Sequence, residues 1–136
     1  MIDASIVVKW FSASGESNVN QAVDLLEHQV TGDISLVVPE LVYYEVANAL
    51  VHKKVLSDEM VSRAMKDLLS LGLNSYATDA GIMINACMIA RKFKITVYDA
   101  CYIALAQQSG HPLVTANPRH QMQIADCQII PIEQWQ

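Results

Sequence analysis

The chain has 136 residues, 52% hydrophobic and only 17% charged, with a formal net charge of −5. That length fits one domain spanning residues 1–136, and the low charge predicts a large buried surface and an oligomer. The negative balance weighs against a general nucleic-acid binder without excluding a nuclease.

The short apolar run Ile2–Val8 reads as a buried first strand. A polar loop over 12–18 leads to a helix starting at Ser17 or Val19 and reaching His28, with Val19, Ala22, Val23 and Leu26 on one face. Ile34–Val38 reads as the second strand, closed by Pro39, and Glu40–Lys53 as a helix. Ser57-Asp58-Glu59 caps an amphipathic helix ending at Gly72, its apolar positions Val61, Ala64, Met65, Leu68 and Leu69; Met60, Met65, Leu68 and Leu69 suit a helix core or a dimer face. These two helices form a projecting helical hairpin. Leu73–Ala77 reads as a short edge strand, and helices follow from Thr78 or Asp79 to Phe93 and from Thr96 to Ser109, the latter stopped by Gly110 and Pro112. Leu113–Thr115 is a strand, Pro118–Ile124 a helical turn and Gln128–Ile132 the last strand. Strands this apolar, alternating with helices, predict an α/β fold of three layers, α/β/α, with a mostly parallel central sheet and a site outside the carboxyl ends of its strands.

No apolar run approaches the ~20 residues of a membrane span, and Met1-Ile2-Asp3 lacks the basic start of a signal peptide, so a cytoplasmic protein with no membrane partner is expected. Cys87, Cys101 and Cys127 are odd in number and widely spaced, and read as reduced core residues.

Three acids stand in apolar surroundings with no Lys or Arg inside their stretches: Asp3, Glu45 and Asp99. Each has a local reading. Asp3 suits a turn residue whose carboxylate bonds Ser5 or a nearby backbone N–H, Glu45 a partly exposed helix acid, and Asp99 a capping box begun by Thr96. Jointly they read as a cluster. Carboxylates within ~6 Å repel by about 3 kcal/mol per pair at an effective dielectric near 20, so convergence needs a cation or protons. Oxygen donors without Cys or His favour Mg²⁺ or Mn²⁺ over zinc, and such ions hold the attacking and leaving oxygens of a phosphodiester in line. Hydrolytic cleavage of nucleic acid is the leading chemistry. His111 and His120, even with Cys127, lack zinc-site spacing, and no Gly-rich phosphate loop or Ser/His/Asp hydrolase signature occurs.

Four pieces of sequence, in order, carry a family likeness: residues 3–10 from Asp3 to Trp10, Val38-Pro39-Glu40-Leu41 leading into residues 44–50, residues 98–106 around Asp99, and Leu113-Val114-Thr115-Ala116-Asn117. On these the chain resembles a PIN-domain protein, specifically a VapC-type toxin ribonuclease. The resemblance implies a three-layer PIN-like domain, a divalent-metal site, endonucleolytic cleavage of RNA, a homodimer and inhibition by a small cognate antitoxin. It places Asp3, Glu45 and Asp99 at the metal, Ser5 and Thr115 at small hydroxyl positions around it, and Asn48 one helical turn beyond Glu45. Asn117 stands where the family commonly has a fourth acid, which implies a weaker second metal site. Only Met1 and Ile2 precede Asp3, fewer than usual, implying a trimmed start or a short strand.

Among the scattered cations, Lys9 and Arg119 follow site segments and are the candidates to meet substrate. A rival reading is a PIN-like module that has lost activity and binds RNA or a protein partner, favoured by Asn117. A second rival, a metal-dependent phosphatase or phosphotransfer domain, is weakened because Asp3 lacks an acid at Asp-x-Asp spacing.

Overall fold

A computed structural model describes residues 1–118 and 126–135. Helices α1 (Ala4–Phe11), α2 (Val19–Thr31), α3 (Leu41–Val51), α4 (Asp58–Ser70), α5 (Ala80–Phe93) and α6 (Val97–Ser109) alternate with strands β1 (Val37–Pro39), β2 (Asn74–Tyr76), β3 (Leu113–Thr115) and β4 (Ile129–Pro131), and a 3-10 turn follows at Ile132–Gln134. β1 pairs parallel with β2, setting Val37 opposite Asn74, and β3 pairs parallel with β4, setting Leu113 opposite Ile129. The first residues join the two pairs. Ile2 bridges Val114 and donates its N–H to the Val37 carbonyl, while the N–H groups of Val114 and Asp3 bond Met1 and Val114 carbonyls in turn.

Alternation along these extended segments sorts the core into two layers. Ile2, Val38 and Val114 pack with residues of α1 to α4, and Met1, Val37 and Leu113 pack with α5 and α6. In β1, β3 and the first residues, neighbouring positions therefore face opposite helical layers, while β2 is exposed. This is the expected α/β/α arrangement, with the strands parallel and the α3–α4 hairpin packed against the first layer.

The expected first strand is the main correction. Of this run only Ile2 and Asp3 bond to the strands; Ala4 to Phe11 is helical, and Asp3 is its N-cap, accepting from the Ser5 N–H. The β-branched run favours a strand by propensity, but a cap at Asp3 satisfies the helix start, and Ile6 and Val7 are wholly buried in this layer. The second strand also moves, from Ile34–Val38 to Val37–Pro39. The Ile34 N–H bonds the His28 carbonyl at the end of α2, and the Leu36 N–H bonds the Gln29 side chain at 2.7 Å, so these residues serve the turn instead. The last strand loses Ile132 to the 3-10 turn, and the expected turn over Pro118–Ile124 lies largely outside the described residues. On α2 the buried positions are Ala22 and Leu25, and Val23 is exposed.

Other boundaries hold within a few residues. Ser57 caps α4, Asp79 caps α5 and Thr96 caps α6, each accepting a backbone N–H three residues on. Gly110 ends α6 with φ 70°, a left-handed conformation that costs glycine little. All three cysteines are free. Among the described residues no helix is long and apolar enough to cross a membrane.

Because Ile6 is fully buried in the layer formed by α1 to α4, Ile6→Ala should cost about 2–5 kcal/mol. Val30→Ala, at a position 69% exposed, should stay within about 0.5 kcal/mol of wild type. Urea unfolding of the two variants checks both values.

Candidate active site

Asp3 ends the bridging segment and starts α1, so its carboxylate sits where the sheet edge meets a helix N-terminus. One oxygen, Oδ1, accepts the Ser5 N–H at 3.0 Å and the Ser5 hydroxyl; the other, Oδ2, accepts the Thr115 hydroxyl. Both hydroxyls are relayed onward: Ser5 Oγ accepts the Ala116 N–H and Thr115 Oγ1 accepts the Asn117 N–H, each at 3.0 Å. Three residues thereby lock the start of α1 to the end of β3. Asp3 is only 6% exposed, and this burial raises its pKa, against the lowering effect of the hydrogen bonds from Ser5 and Thr115.

Glu45 reaches the same place from α3. Its Oε2 accepts the Tyr102 hydroxyl at 2.5 Å. Burial pushes the Glu45 pKa up, the bond from Tyr102 opposes that, and the nearby charges of Asp99 and Asp3 add to the rise. Tyr102 is 2% exposed, and burial followed by the Glu45 charge pushes its phenol far above the ordinary range, so it stays a donor. Sequence reading missed Tyr102. The available signal is its spacing: three residues after Asp99 on α6, on the same helix face.

Asp99 occupies the first turn of α6, where the Thr96 hydroxyl donates to Asp99 Oδ2 at 2.7 Å and the Asp99 N–H donates to Thr96 Oγ1 at 3.0 Å. Thr96 therefore caps the helix as expected, but the Asp99 carboxylate takes the Thr96 hydroxyl in place of the backbone N–H of a full capping box, and the residue also lines the site cleft. Asp3, Ser5, Glu45, Asp99, Tyr102 and Asn117 together line a cleft of about 150 Å³. Among the described residues no Lys, Arg or His lines it.

The acids share this cleft without converging on one point: among the described residues no three His, Cys, Asp or Glu side chains form a ready coordination group. Each carboxylate is held by a hydroxyl instead. This donor set fits Mg²⁺ or Mn²⁺, because a hard dication of that kind keeps several waters and takes one or two carboxylates together with substrate phosphate, not an all-protein cage. Oxygen donors with no competing cation suit that mode of binding.

Two further clefts adjoin. One of about 440 Å³ is lined by Leu41, Tyr44, Glu45, Asn48 and Tyr98, which puts Asn48 beside Glu45 but outside the acidic cleft. The other, about 340 Å³, joins Asp99 to Lys94, Ile95 and Thr96. Lys9 is not brought to the site. It is 5% exposed and bonds Glu16 at 2.8 Å, and Lys53 meets the same carboxylate at 2.7 Å. Arg119 lies outside the described residues.

Comparison with known proteins gives a consistent likeness. The sequence profile of the PIN domain matches residues 1–125. Ribonuclease VapC3 of Pyrobaculum aerophilum is 31% identical over 127 residues, covering 85% of this chain and 86% of its own. A toxin-antitoxin complex from Klebsiella pneumoniae contains a chain with TM-score 0.68 and 20% identity, covering 96% of this chain and 95% of that one. A crystal structure of a protein from Pyrobaculum aerophilum superposes with TM-score 0.63 and 21% identity, over 94% of this chain and 87% of that one. At those identities the two structures speak for the fold.

Because Asp3 has a folded-state pKa raised by burial, its carboxylate stabilises the fold most when protonated. That contribution is complete below the ordinary carboxylate pKa and is lost as pH rises through the raised folded value. In chelator, Asp3→Asn should therefore be more stable than wild type at neutral pH, with the advantage vanishing as pH falls towards the ordinary value near 3.8. Asn caps a helix about as well as Asp, so the cap is retained. Melting temperatures of both proteins in EDTA across acid to neutral pH check the sign.

Proposed function

Because the chain belongs to the PIN-domain family, we propose that it is a divalent-metal-dependent endoribonuclease that hydrolyses phosphodiester bonds of RNA, the toxin of a VapBC-type pair held by a cognate antitoxin. The observation carrying this reading is the single cleft into which Asp3, Glu45 and Asp99 bring three carboxylates and, among the described residues, no cation. The name of the curated relative supports RNA as substrate, and the toxin-antitoxin complex supports an antitoxin partner. A cytoplasmic homodimer belongs to the same reading; Met83, Ile84 and Met88 on α5 are exposed apolar surface that a second copy would cover.

Asp3, Glu45 and Asp99 are the residues that would hold Mg²⁺ or Mn²⁺, and a bound ion of this kind supplies Lewis-acid stabilisation of the phosphodiester and an acidified water. The chain's own contributions are distinct. Asp3, fixed by Ser5 and Thr115, is the rigid corner of the site. Glu45, with one oxygen held by Tyr102, would turn its other oxygen to the ion or to a water on it. Asn117 presents a neutral amide to the same cleft, where it can orient water or phosphate without adding charge. Lys94, which lines a cleft with Asp99, would meet a flanking phosphate.

Asn117, together with the unconverged acids, also favours a second reading, a catalytically weak module that binds RNA or a protein partner. Cleavage assays separate the two. Single-stranded RNA should be cut with Mg²⁺ or Mn²⁺ and spared in EDTA, and Asp99→Asn should lower the rate by at least about 100-fold, the upper end of what changes around a metal's ligands cost. A rise in rate in Asn117→Asp would show that the amide limits the site, whereas no cleavage of varied RNAs by either protein would favour the binding module. Lys94→Ala should weaken RNA binding about equally for all sequences and reduce the slope of log affinity against log salt by about one.

A further inference from the structure

The cleft beside the acids has a different chemistry from the acidic cleft itself. Tyr44 on α3 and Tyr98 on α6 line it from two elements, and they are 76% and 61% exposed. Large aromatic side chains are normally placed to bury their area, so two facing solvent in one concavity are unspent apolar surface. Neither phenol makes a hydrogen bond among the described residues, which leaves both rings without a polar anchor. Leu41 supplies an apolar floor, and Asn48 adds an amide with two donors and an acceptor.

Position decides what this surface meets. Glu45 lines both clefts, so a phosphodiester held at the carboxylates has the tyrosine-lined concavity directly beside it, within reach of a neighbouring nucleotide. At about 440 Å³ the cleft is within the range of small-ligand pockets. Exposed bases of single-stranded RNA stack on aromatic rings and are read by amides on their edges.

We propose that this cleft is a nucleobase subsite for single-stranded RNA, in which Tyr44 and Tyr98 stack the base next to the cleaved phosphodiester and Asn48 hydrogen-bonds its edge. This rests on the ribonuclease reading above. The stack provides affinity that is indifferent to base identity, and Asn48 provides what discrimination the subsite has. A duplex cannot enter, since its bases are already stacked and paired.

The test compares base-bearing with base-free RNA. Labelled homo-oligomers of A, C, G and U, and an abasic oligomer of equal length, are titrated by fluorescence anisotropy against Asp99→Asn protein, which keeps both tyrosines, and against the same protein carrying Tyr44→Ala and Tyr98→Ala. Stacking at this site should make at least one base-bearing oligomer bind about five- to 150-fold tighter than the abasic one, and the double tyrosine change should abolish that preference while leaving abasic binding unchanged. Asn48→Ala should narrow the spread among the four bases. A preference that survives loss of both tyrosines overturns the subsite, and so does equal binding of base-bearing and abasic RNA by the parent. If the tyrosine changes abolish binding of a protein partner while leaving the base preference intact, the cleft serves that partner instead. Cleavage by the wild-type protein is scored separately: absence of cleavage with a tyrosine-dependent base preference retains the subsite and removes the nuclease.

Discussion

The carboxylate of Asp3 closes the N-terminus of α1, accepts the hydroxyls of Ser5 and Thr115, and stands almost fully enclosed at the edge of the sheet. Taking a charge this far out of water costs several kcal/mol unless donors or a counter-ion meet it. Donors meet it here on both oxygens, yet its pKa is still raised, so the hydrogen bonds only partly offset the burial. The same three-residue knot fixes where α1 leaves the sheet and where the chain turns after β3. Together with the backbone bonds of Met1, Ile2 and Asp3 to the strands, it sets Asn117 and the start of α1 relative to Glu45 and Asp99.

The other two acids are arranged around that fixed corner by longer levers. Glu45 arrives on α3 and is steadied by Tyr102, a buried phenol that remains protonated; Asp99 arrives on α6 and is steadied by its own cap residue. Glu45 and Asp99 thus each have one hydroxyl partner and a second oxygen free of one, whereas Asp3 has a hydroxyl on both oxygens. The charges of Asp3 and Asp99 both raise the pKa of Glu45, which is the electrostatic mark of three like charges near one cleft. On the proposed reading, an arrangement that is unfavourable by itself would become favourable with a dication and a phosphate in the cleft, where positioned charge acts.

Much of this was legible in the sequence, for identifiable reasons. Glu45 and Asp99 stand out because no cation lies in their apolar stretches, and the caps Ser57, Asp79 and Thr96 mark the helix starts they occupy. The run Ile2–Val8 misled because β-branched residues favour strands in general, while here the cap at Asp3 and the two buried side chains Ile6 and Val7 favour a helix. Lys9 misled because nearness in sequence to a site says nothing of direction: it turns inward to Glu16, on the opposite business of tying α1 to the loop before α2. Tyr102 was hidden because a tyrosine in an apolar helix is usually core, and only the arrival of Glu45 from a distant helix gives its hydroxyl a purpose.

On the proposed reading, three carboxylates, each engaged by a hydroxyl, together accept one hard dication. Anomalous diffraction from crystals soaked in Mn²⁺ tests it most directly. The expected result is an anomalous peak inside the cleft, within coordination distance of an oxygen of Asp3 and of at least one of Glu45 and Asp99. A crystal with Mn²⁺ bound elsewhere and no density among these three acids would contradict it.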